Sequence, residues 1–327
     1  MKILNAKLIA AAALAGTLFA GQSNAQQMEI KFGHVGAPGS LFEASAQEFA
    51  KRANAKLGNK AKVVVYGASQ LGDDREMMRK LLLGTQDVSL PSTVMTSIVD
   101  EFGIFEMPYL VKDREHMKRI EKEIVWPKLS PLAEKKGYKI LAVWENGFRH
   151  ITNNKQPIVV PEDLKDIKLR TPQGKWRVKM FKAYGANPTA MAFSEVFTAL
   201  QTGTMDGQEN PFVQIYSAKF QEVQKYISLT GHVYTPAYPT MGLKKFESLP
   251  ADVQKILVEE AKATQDFVYK HAAKLDNELL DKIKAAGTKA NDANKDAFVK
   301  ASDVIYKEFG DAVKGASDLI AHANKLR

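Results

Sequence analysis

Short apolar segments that read as strands alternate with segments that read as helices along most of this chain. Ile30–Val35 and Lys62–Tyr66 have the composition of strands, and Lys168–Arg170 is a further short strand. A helix should follow the first strand, because Ser40 and Glu43 form the S-x-x-E pattern of a capping box, and Gly58 should end it. Such alternation predicts an α/β fold with mostly parallel sheets.

The stretch 251–286 breaks this alternation, because it contains no Gly and no Pro and is rich in Ala, Lys, Glu and Leu. A single helix over these residues would be about 54 Å long. We expect two helices here rather than one, and either arrangement would reach across two lobes.

The N-terminus has the layout of a cleaved secretory signal. Lys2 and Lys7 precede the apolar stretch 8–20, and the small residues Ser23 and Ala25 fit a signal-peptidase site. An N-terminal membrane anchor is the alternative, but the apolar stretch is short for a membrane span. We therefore expect residues 1–25 to be a signal peptide, cleaved after Ala25, and the mature protein to be periplasmic.

The remaining residues, 26–327, exceed the usual length of one domain and predict two lobes. The chain has no cysteine, so thiol nucleophiles, redox motifs and cysteine-ligated zinc are excluded. Its basic residues are interleaved with acidic ones and form no basic run, which argues against a nucleic-acid partner. The mild excess of positive charge fits a weak attraction of small anions.

Motifs of catalysis are also missing. There is no G-x-S-x-G and no H-E-x-x-H, the spacing of Gly33, Gly36 and Gly39 is not a dinucleotide fingerprint, and Asp73 stands where a P-loop needs lysine. No two of the six histidines have metal-ligand spacing. We therefore expect no enzyme activity, no cofactor and no metal site. An exported hydrolase with two carboxylates is the enzyme alternative that stays open.

Arg170 is the candidate anion-binding residue. It ends a predicted strand, Pro172 follows closely, and a helix begins soon after. A guanidinium there can hold a carboxylate through two parallel hydrogen bonds. The other interpretation is an ion pair with Asp163 or Asp166, and the residues alone do not decide between the two.

Several short motifs, each weak alone, recur in this order in one known family. They are Lys31-Phe32-Gly33, Gln70-Leu71-Gly72-Asp73-Asp74, Met107-Pro108-Tyr109, Gly147-Phe148-Arg149, Leu169-Arg170-Thr171-Pro172, Met191-Ala192-Phe193-Ser194-Glu195-Val196 and Asp206-Gly207-Gln208-Glu209-Asn210-Pro211. With these motifs the chain resembles the solute receptors of tripartite ATP-independent periplasmic (TRAP) transporters, which include C4-dicarboxylate, sialic acid and sugar-acid receptors. The resemblance covers the whole mature chain.

The resemblance implies an α/β, two-lobe periplasmic-binding-protein fold with hinge strands and a long C-terminal helix crossing both lobes. Lobe I would comprise residues 26–147 plus about 236–275, and lobe II residues 148–235 plus about 276–327. The lobes would close on a ligand and present it to a membrane permease of two unequal subunits. A binding protein of another transporter class, or a sensor with the same plan, is the alternative.

The resemblance also assigns the ligand site. In that family the arginine that matches Arg170 pairs with the ligand carboxylate. The arginine that matches Arg149 and the asparagine that matches Asn210 support this contact, and the aromatic residue that matches Phe193 packs against the ligand. Three further residues, Asp74, Ser92 and Gln173, fall at contact positions of the sialic acid receptors. The expected ligand is a small carboxylate, namely a sugar acid, a hydroxy acid or a dicarboxylate, and the expected receptor is a monomer.

Overall fold

The computed structural model describes residues 27–327, so the predicted signal peptide lies outside the described residues. Eleven strands in this part of the chain form two sheets. In chain order they are β1 (Met28–Gly33), β2 (Ala61–Tyr66), β3 (Val88–Ser89), β4 (Tyr138–Ile140), β5 (Trp144–Asn153), β6 (Lys168–Thr171), β7 (Asn187–Ala190), β8 (Gly207–Asn210), β9 (Tyr226–Ala237), β10 (Thr240–Gly242) and β11 (Lys289–Asp292).

Twelve α-helices cover the sheets, with short 3₁₀ turns and one π-helical segment, Glu121–Leu129, between them. The helices are α1 (Leu41–Leu57), α2 (Asp74–Leu83), α3 (Arg114–Ile120), α4 (Ser130–Lys135), α5 (Lys175–Ala183), α6 (Val196–Gln201), α7 (Phe212–Ser217), α8 (Leu243–Ser248), α9 (Ala251–Ala285), α10 (Lys295–Ala301), α11 (Asp303–Ala312) and α12 (Ala316–Lys325). Within residues 27–327, no helix is both long enough and apolar enough to cross a membrane.

The first sheet has the strand order β2-β1-β3-β10-β4, and the second has the order β11-β9-β5-β8-β6-β7. Both are mixed: β1 pairs in parallel with β2 and β3, whereas β10 runs antiparallel to β3 and β4. In the second sheet β5 runs antiparallel to β8 and β9. The predicted α/β class is confirmed, but the sheets are more mixed than expected, because strands that cross between the sheets enter them antiparallel.

Two long neighbouring strands connect the sheets. The chain leaves the first sheet after Ile140 and enters the second at Trp144, and it returns between Ala237 and Thr240. β5 and β9 pair from their first to their last residues, with register shifts that bend β5. These strands have the position of a hinge. The exact division into 26–147 plus about 236–275 and 148–235 plus about 276–327 stays a prediction.

The stretch predicted as two helices is one continuous helix, α9, so that expectation was wrong. Its buried residues, among them Leu257, Ala261, Val268 and Ala272, recur at helical spacing and pack against α1, α7 and β5. With no Gly or Pro to interrupt it and a continuous buried stripe, the helix has no reason to break.

The apolar core does not divide by sheet, because each of its two hydrophobic clusters takes residues from both sheets. At the start of β5, Trp144 lies 6.2 Å from Phe32 and 6.0 Å from Phe49, measured between ring centroids. Its indole N–H also donates to the carbonyl of Ala261 on α9, at 2.8 Å. This contact anchors the first connecting strand to β1, α1 and α9 together.

Candidate functional site

A cavity lies between the two sheets, and all seven predicted ligand residues line it: Asp74, Ser92, Arg149, Arg170, Gln173, Phe193 and Asn210. Its other lining residues are Val35, Phe42, Thr93, Val94, Asn146, Pro172 and Gln214. The cavity measures about 40 Å³, which is room for a few water molecules only. An organic acid can therefore enter only if the lobes separate or the lining side chains move.

Arg170 lies at the end of β6, where its guanidinium is buried but not neutralised. Its Nε and Nη2 both donate to the carbonyl oxygen of Met191, at 3.1 and 2.7 Å. The guanidinium carbon also lies 5.8 Å from the ring centroid of Phe193. Within residues 27–327, Nη1 has no hydrogen-bond acceptor and no carboxylate lies within ion-pair distance. Two of the five N–H groups are thus used for orientation, and the others can meet a carboxylate.

The alternative role for Arg170, an ion pair with Asp163 or Asp166, is not what the structure shows. The Asp163 carboxylate accepts hydrogen bonds from the backbone N–H groups of Val159 and Val160, at 2.8 and 3.0 Å. It therefore closes a local turn and leaves Arg170 free.

Arg149, on β5, is buried and held by Glu209 on β8. Nε donates to Oε2 at 2.5 Å, Nη2 donates to Oε1 at 3.0 Å, and Nη2 also reaches the backbone carbonyl of Glu209 at 2.6 Å. Since most of its donors are already used, Arg149 contributes positive charge beside Arg170 more than free N–H groups. Together, burial and the charge of Arg149 lower the pKa of Arg170.

Glu209 is the centre of a buried polar network that the sequence reading did not single out. Its Oε2 also contacts Arg177 Nη1 at 2.7 Å and His232 Nε2 at 3.0 Å, and Arg177 continues to Glu106 at 2.8 Å. Burial raises the pKa of Glu209, but the charges of Arg149 and Arg177 outweigh it, and the net pKa lies well below the usual range. Burial lowers the pKa of His232 to about 4, so its imidazole is neutral at pH 7.

Asp74 is the first residue of α2, and the preceding Asp73 caps that helix by accepting from the backbone N–H of Glu76 at 2.7 Å. The cap fixes the helix start at the cavity wall. Burial raises the pKa of Asp74 to about 7; the positive charge of Arg170 opposes this rise, and the negative charge of Asp73 adds to it. The carboxyl can therefore donate or accept a hydrogen bond near neutral pH.

Neutral polar groups make up the remaining polar wall. Asn210 donates to Gln208 Oε1 at 2.6 Å, and Ser92 donates to the carbonyl of Pro236 at 2.7 Å. Gln173, in the loop between β6 and α5, lies 3.4 Å from the carboxylate of Asp73, which caps α2. Across residues 27–327 the buried oxygens of Gln173, Gln214 and Thr93 find no hydrogen-bond donor. They are acceptors available to ligand hydroxyl groups.

Asn146 and Gln214 are lining residues that the sequence reading missed. Asn146 lies in β5, 3.4 Å from Ser92 Oγ, and accepts from Gln214 at 3.3 Å. Asn146 directly precedes the motif Gly147-Phe148-Arg149, whereas Gln214 sits on the short helix α7 and only the folded chain brings it to the cavity. Over the described residues, no cluster of three or more His, Cys, Asp or Glu side chains could hold a metal ion.

The protein has two mixed β-sheets covered by helices. Long strands and one continuous helix join the two halves around a cationic cavity. This architecture defines a two-lobe solute-binding protein. Residues 32–312 match the family described as bacterial extracellular solute-binding protein, family 7. The chain belongs to this family, which confirms its resemblance to the TRAP solute receptors.

Individual proteins support this membership. The chain is 32% identical to the 2,3-diketo-L-gulonate-binding periplasmic protein YiaO of Escherichia coli, over 96% of this chain and 97% of that protein. Among solved structures, the sugar acid binding protein of Advenella mimigardefordensis with galactonate superposes with a TM-score of 0.88, at 30% identity, and the match covers 92% of this chain and 99% of that one. A TRAP solute-binding protein of Polaromonas with D-erythronate gives 0.87, at 33% identity, over 91% and 98%. These relatives are binding proteins.

Proposed function

We propose that this protein is the periplasmic receptor of a TRAP transporter and that it binds a sugar acid or another hydroxylated monocarboxylate. The observation that carries the proposal is Arg170, a buried guanidinium that is oriented by a backbone carbonyl and has no carboxylate partner among residues 27–327. A buried charge without a counter-charge is costly, so an incoming carboxylate both gains two charge-assisted hydrogen bonds and relieves this cost.

The charges of the cavity favour one carboxylate over two. Arg170 and Arg149 are the basic residues that line it in the described chain, and Arg149 is already paired with Glu209. A second carboxylate would face Asp74 and neutral amides, which offer it no counter-charge. Hydroxyl groups, in contrast, would meet the free acceptors of Gln173 and Gln214. The galactonate and D-erythronate complexes of the relatives agree with this preference.

The proposal assigns the seven residues as follows. Arg170 binds the carboxylate, Arg149 and Asn210 support it, and Phe193 packs against the ligand. The hydroxyl groups are contacted by Gln173, Asp74 and Ser92. The receptor delivers its ligand to the two membrane subunits of a permease without chemical change, works as a monomer, and needs no cofactor or metal.

A thermal-shift screen of galactonate, D-erythronate, L-gulonate and succinate tests this function. A sugar acid at one hundred times its Kd should stabilise the folded protein by about 2.7 kcal/mol, whereas succinate should stabilise it less at equal concentration.

Arg170→Ala should weaken binding of the sugar acid by on the order of 100-fold, because two charge-assisted hydrogen bonds are lost. The matched variant Arg79→Ala removes an exposed arginine that does not line the cavity and should bind as wild type.

Two results would contradict the proposal: no stabilisation by any acid of a broad panel, or unchanged affinity in Arg170→Ala. Recovery of the added acid unchanged after long incubation separates a receptor from a hydrolase. Tighter binding of succinate than of any sugar acid would contradict the preference for a ligand with one carboxylate. It would not contradict the role of Arg170 in binding that carboxylate.

A further inference from the structure

A second cavity lies on the opposite face of β5 from the ligand site and measures about 420 Å³, a size within the range of small-molecule pockets. Phe148 and His150 line it, whereas Arg149 between them lines the first cavity. This division follows from the alternation of side chains along a strand. Residues of several elements complete its wall: Tyr109, Val111, Lys112, Phe212, Gly231, Asp276 and Lys295.

His150 gives this second cavity a fixed hydrogen-bond donor. Its Nδ1 accepts from the backbone N–H of Gly231 at 3.1 Å, so the hydrogen of the neutral ring is on Nε2. Burial lowers the pKa of His150 to about 3, which keeps the ring neutral at physiological pH. The imidazole also stacks on Phe212, with centroids 4.3 Å apart and planes 8° from parallel. The stacked pair forms a flat, rigid wall.

The charged groups around the second cavity leave it positive. Lys112 and Lys295 are exposed, and in the described part of the chain neither has a carboxylate within 4.0 Å. Asp276, the acidic residue of the wall, is paired with Arg114, which also binds Glu145 through two hydrogen bonds. Arg114 thus shares its single positive charge between Asp276 and Glu145, and with the ammonium groups of Lys112 and Lys295 these five groups carry a net charge of +1.

We propose that this cavity is a second binding site, for a small aromatic carboxylate. Phe148 and the stacked pair of His150 and Phe212 supply aromatic surface for a planar ring, and Lys112 and Lys295 supply positive charge for the carboxylate. The first cavity differs, because its polar wall of amide and hydroxyl groups suits a hydroxylated chain. The second site is therefore independent of the proposed receptor function.

Calorimetric titration of the mature protein with benzoate tests the site. The measurement uses Arg170→Ala, in which the first cavity has lost its carboxylate-binding group, and benzoate should bind this variant as it binds the wild type. In the Arg170→Ala background, Lys295→Gln should weaken benzoate binding about tenfold through loss of a charge-assisted contact. Lys300→Gln, the same change on the same helix but outside the cavity, is the matched control and should have no effect.

Cyclohexanecarboxylate, with the same charge but no aromatic ring, should bind more weakly than benzoate. The proposal is overturned if benzoate does not bind Arg170→Ala at millimolar concentration, or if Lys295→Gln and Lys300→Gln have equal effects. Neither result would affect sugar-acid binding by the wild type, so failure of this site and failure of the receptor function remain distinguishable.

Discussion

The guanidinium of Arg170 is oriented by the carbonyl oxygen of Met191, whereas a buried arginine is usually oriented by a carboxylate. This carbonyl fixes the direction of the guanidinium through two hydrogen bonds but contributes no full negative charge. The lowered pKa of Arg170 reflects this missing counter-charge, with burial as the main cause and Arg149 as the second. A ligand carboxylate would supply the missing negative charge beside Arg170. The affinity for that ligand should therefore depend on the other charged groups near the cavity.

Asp74 is the nearby group whose charge changes near neutral pH. Its pKa is raised to about 7, so it is mainly neutral below that pH and ionised above it. An ionised Asp74 repels the ligand carboxylate, whose own pKa is far lower, so affinity for a sugar acid should fall about tenfold between about pH 6 and about pH 8. Asp74→Asn should flatten this dependence. Calorimetry across the pH range measures it, with Asp303→Asn, an exposed first-turn residue of α11, as control.

A steep pH dependence that persists in Asp74→Asn would assign the titration to another group. An affinity that rises with pH in the wild type would contradict the repulsion argument itself, since ionised Asp74 would then be the favourable form.

Glu209 does not line the ligand cavity, and we expect it to act on stability rather than on ligand contact. Glu209→Gln leaves Arg149 and Arg177 buried without their shared counter-charge, and we expect it to lower the free energy of unfolding by about 3–5 kcal/mol. The pKa of Glu209 is depressed, so its stabilisation is fully present above the pKa of an unfolded glutamate, about 4.3, and is lost progressively as the pH falls from there through the lower pKa of the folded state. Urea unfolding at pH 7 and at about pH 3 should thus give a smaller difference between mutant and wild type at the lower pH. Glu259→Gln, exposed on α9, should change little at either pH.

The cavity-lining positions of Arg149, Arg170, Phe193 and Asn210 could be predicted because short motifs carry these residues, whereas the network behind them could not. Arg177 is on α5 and Glu106 is at the end of a 3₁₀ turn, and each resembles an ordinary surface charge in the sequence. Their ion pair joins two elements that lie far apart in the sequence. No local pattern of residues encodes that contact, so sequence reasoning had no signal for it.

At the scale of helices, local capping patterns predicted some of the helix ends correctly. Ser40 caps α1 by accepting from Glu43 N–H at 3.1 Å, and Gly58 ends the helix, as predicted. The sequence also predicts that Ser194 caps a helix running through Val196, Phe197 and Leu200, and this prediction is wrong. α6 begins at Val196, Ser194 is exposed, and a 3₁₀ turn over Phe193–Glu195 precedes the helix. The turn carries Phe193 to the cavity, so packing with the ligand site, rather than capping, sets this helix start.

The bend of β5 depends on Gly147, which combines a φ of +120° with a shift in strand register. A Cβ atom there would strain the backbone and would approach the Pro211 ring at 3.3 Å. Gly147→Ala should therefore destabilise the protein by about 1–3 kcal/mol more than an alanine at a roomy left-handed glycine. Gly203→Ala is the comparison, because φ is +73° and no atom lies within 4 Å of the added Cβ. Equal melting temperatures of the two variants would contradict a special role for Gly147.

We expect the whole molecule to open and close around the ligand cavity rather than to stay rigid. Gln173 and Asp73 meet across the mouth of the ligand cavity in a long hydrogen-bond contact of 3.4 Å. The connecting elements, in contrast, are strongly fixed: Arg114 joins α3 to Glu145 at the start of β5 and to Asp276 on α9. We therefore expect β5 and β9 to serve as the hinge and the small cavity to belong to a closed form.

Ligand binding should shift the molecule toward that closed form. Without ligand, the buried charge of Arg170 favours separation of the lobes, because an open cavity lets water solvate the guanidinium. A sugar-acid carboxylate replaces that water and makes closure favourable, so the radius of gyration from small-angle scattering should decrease when the ligand is added. At a ligand concentration about ten times the wild-type Kd, Arg170→Ala should show a much smaller decrease, because a Kd that is about 100-fold weaker leaves it mostly unliganded. Calorimetric binding by the wild type with an unchanged radius of gyration would mean that side-chain movement alone admits the ligand, and the hinge would then have no part in capture.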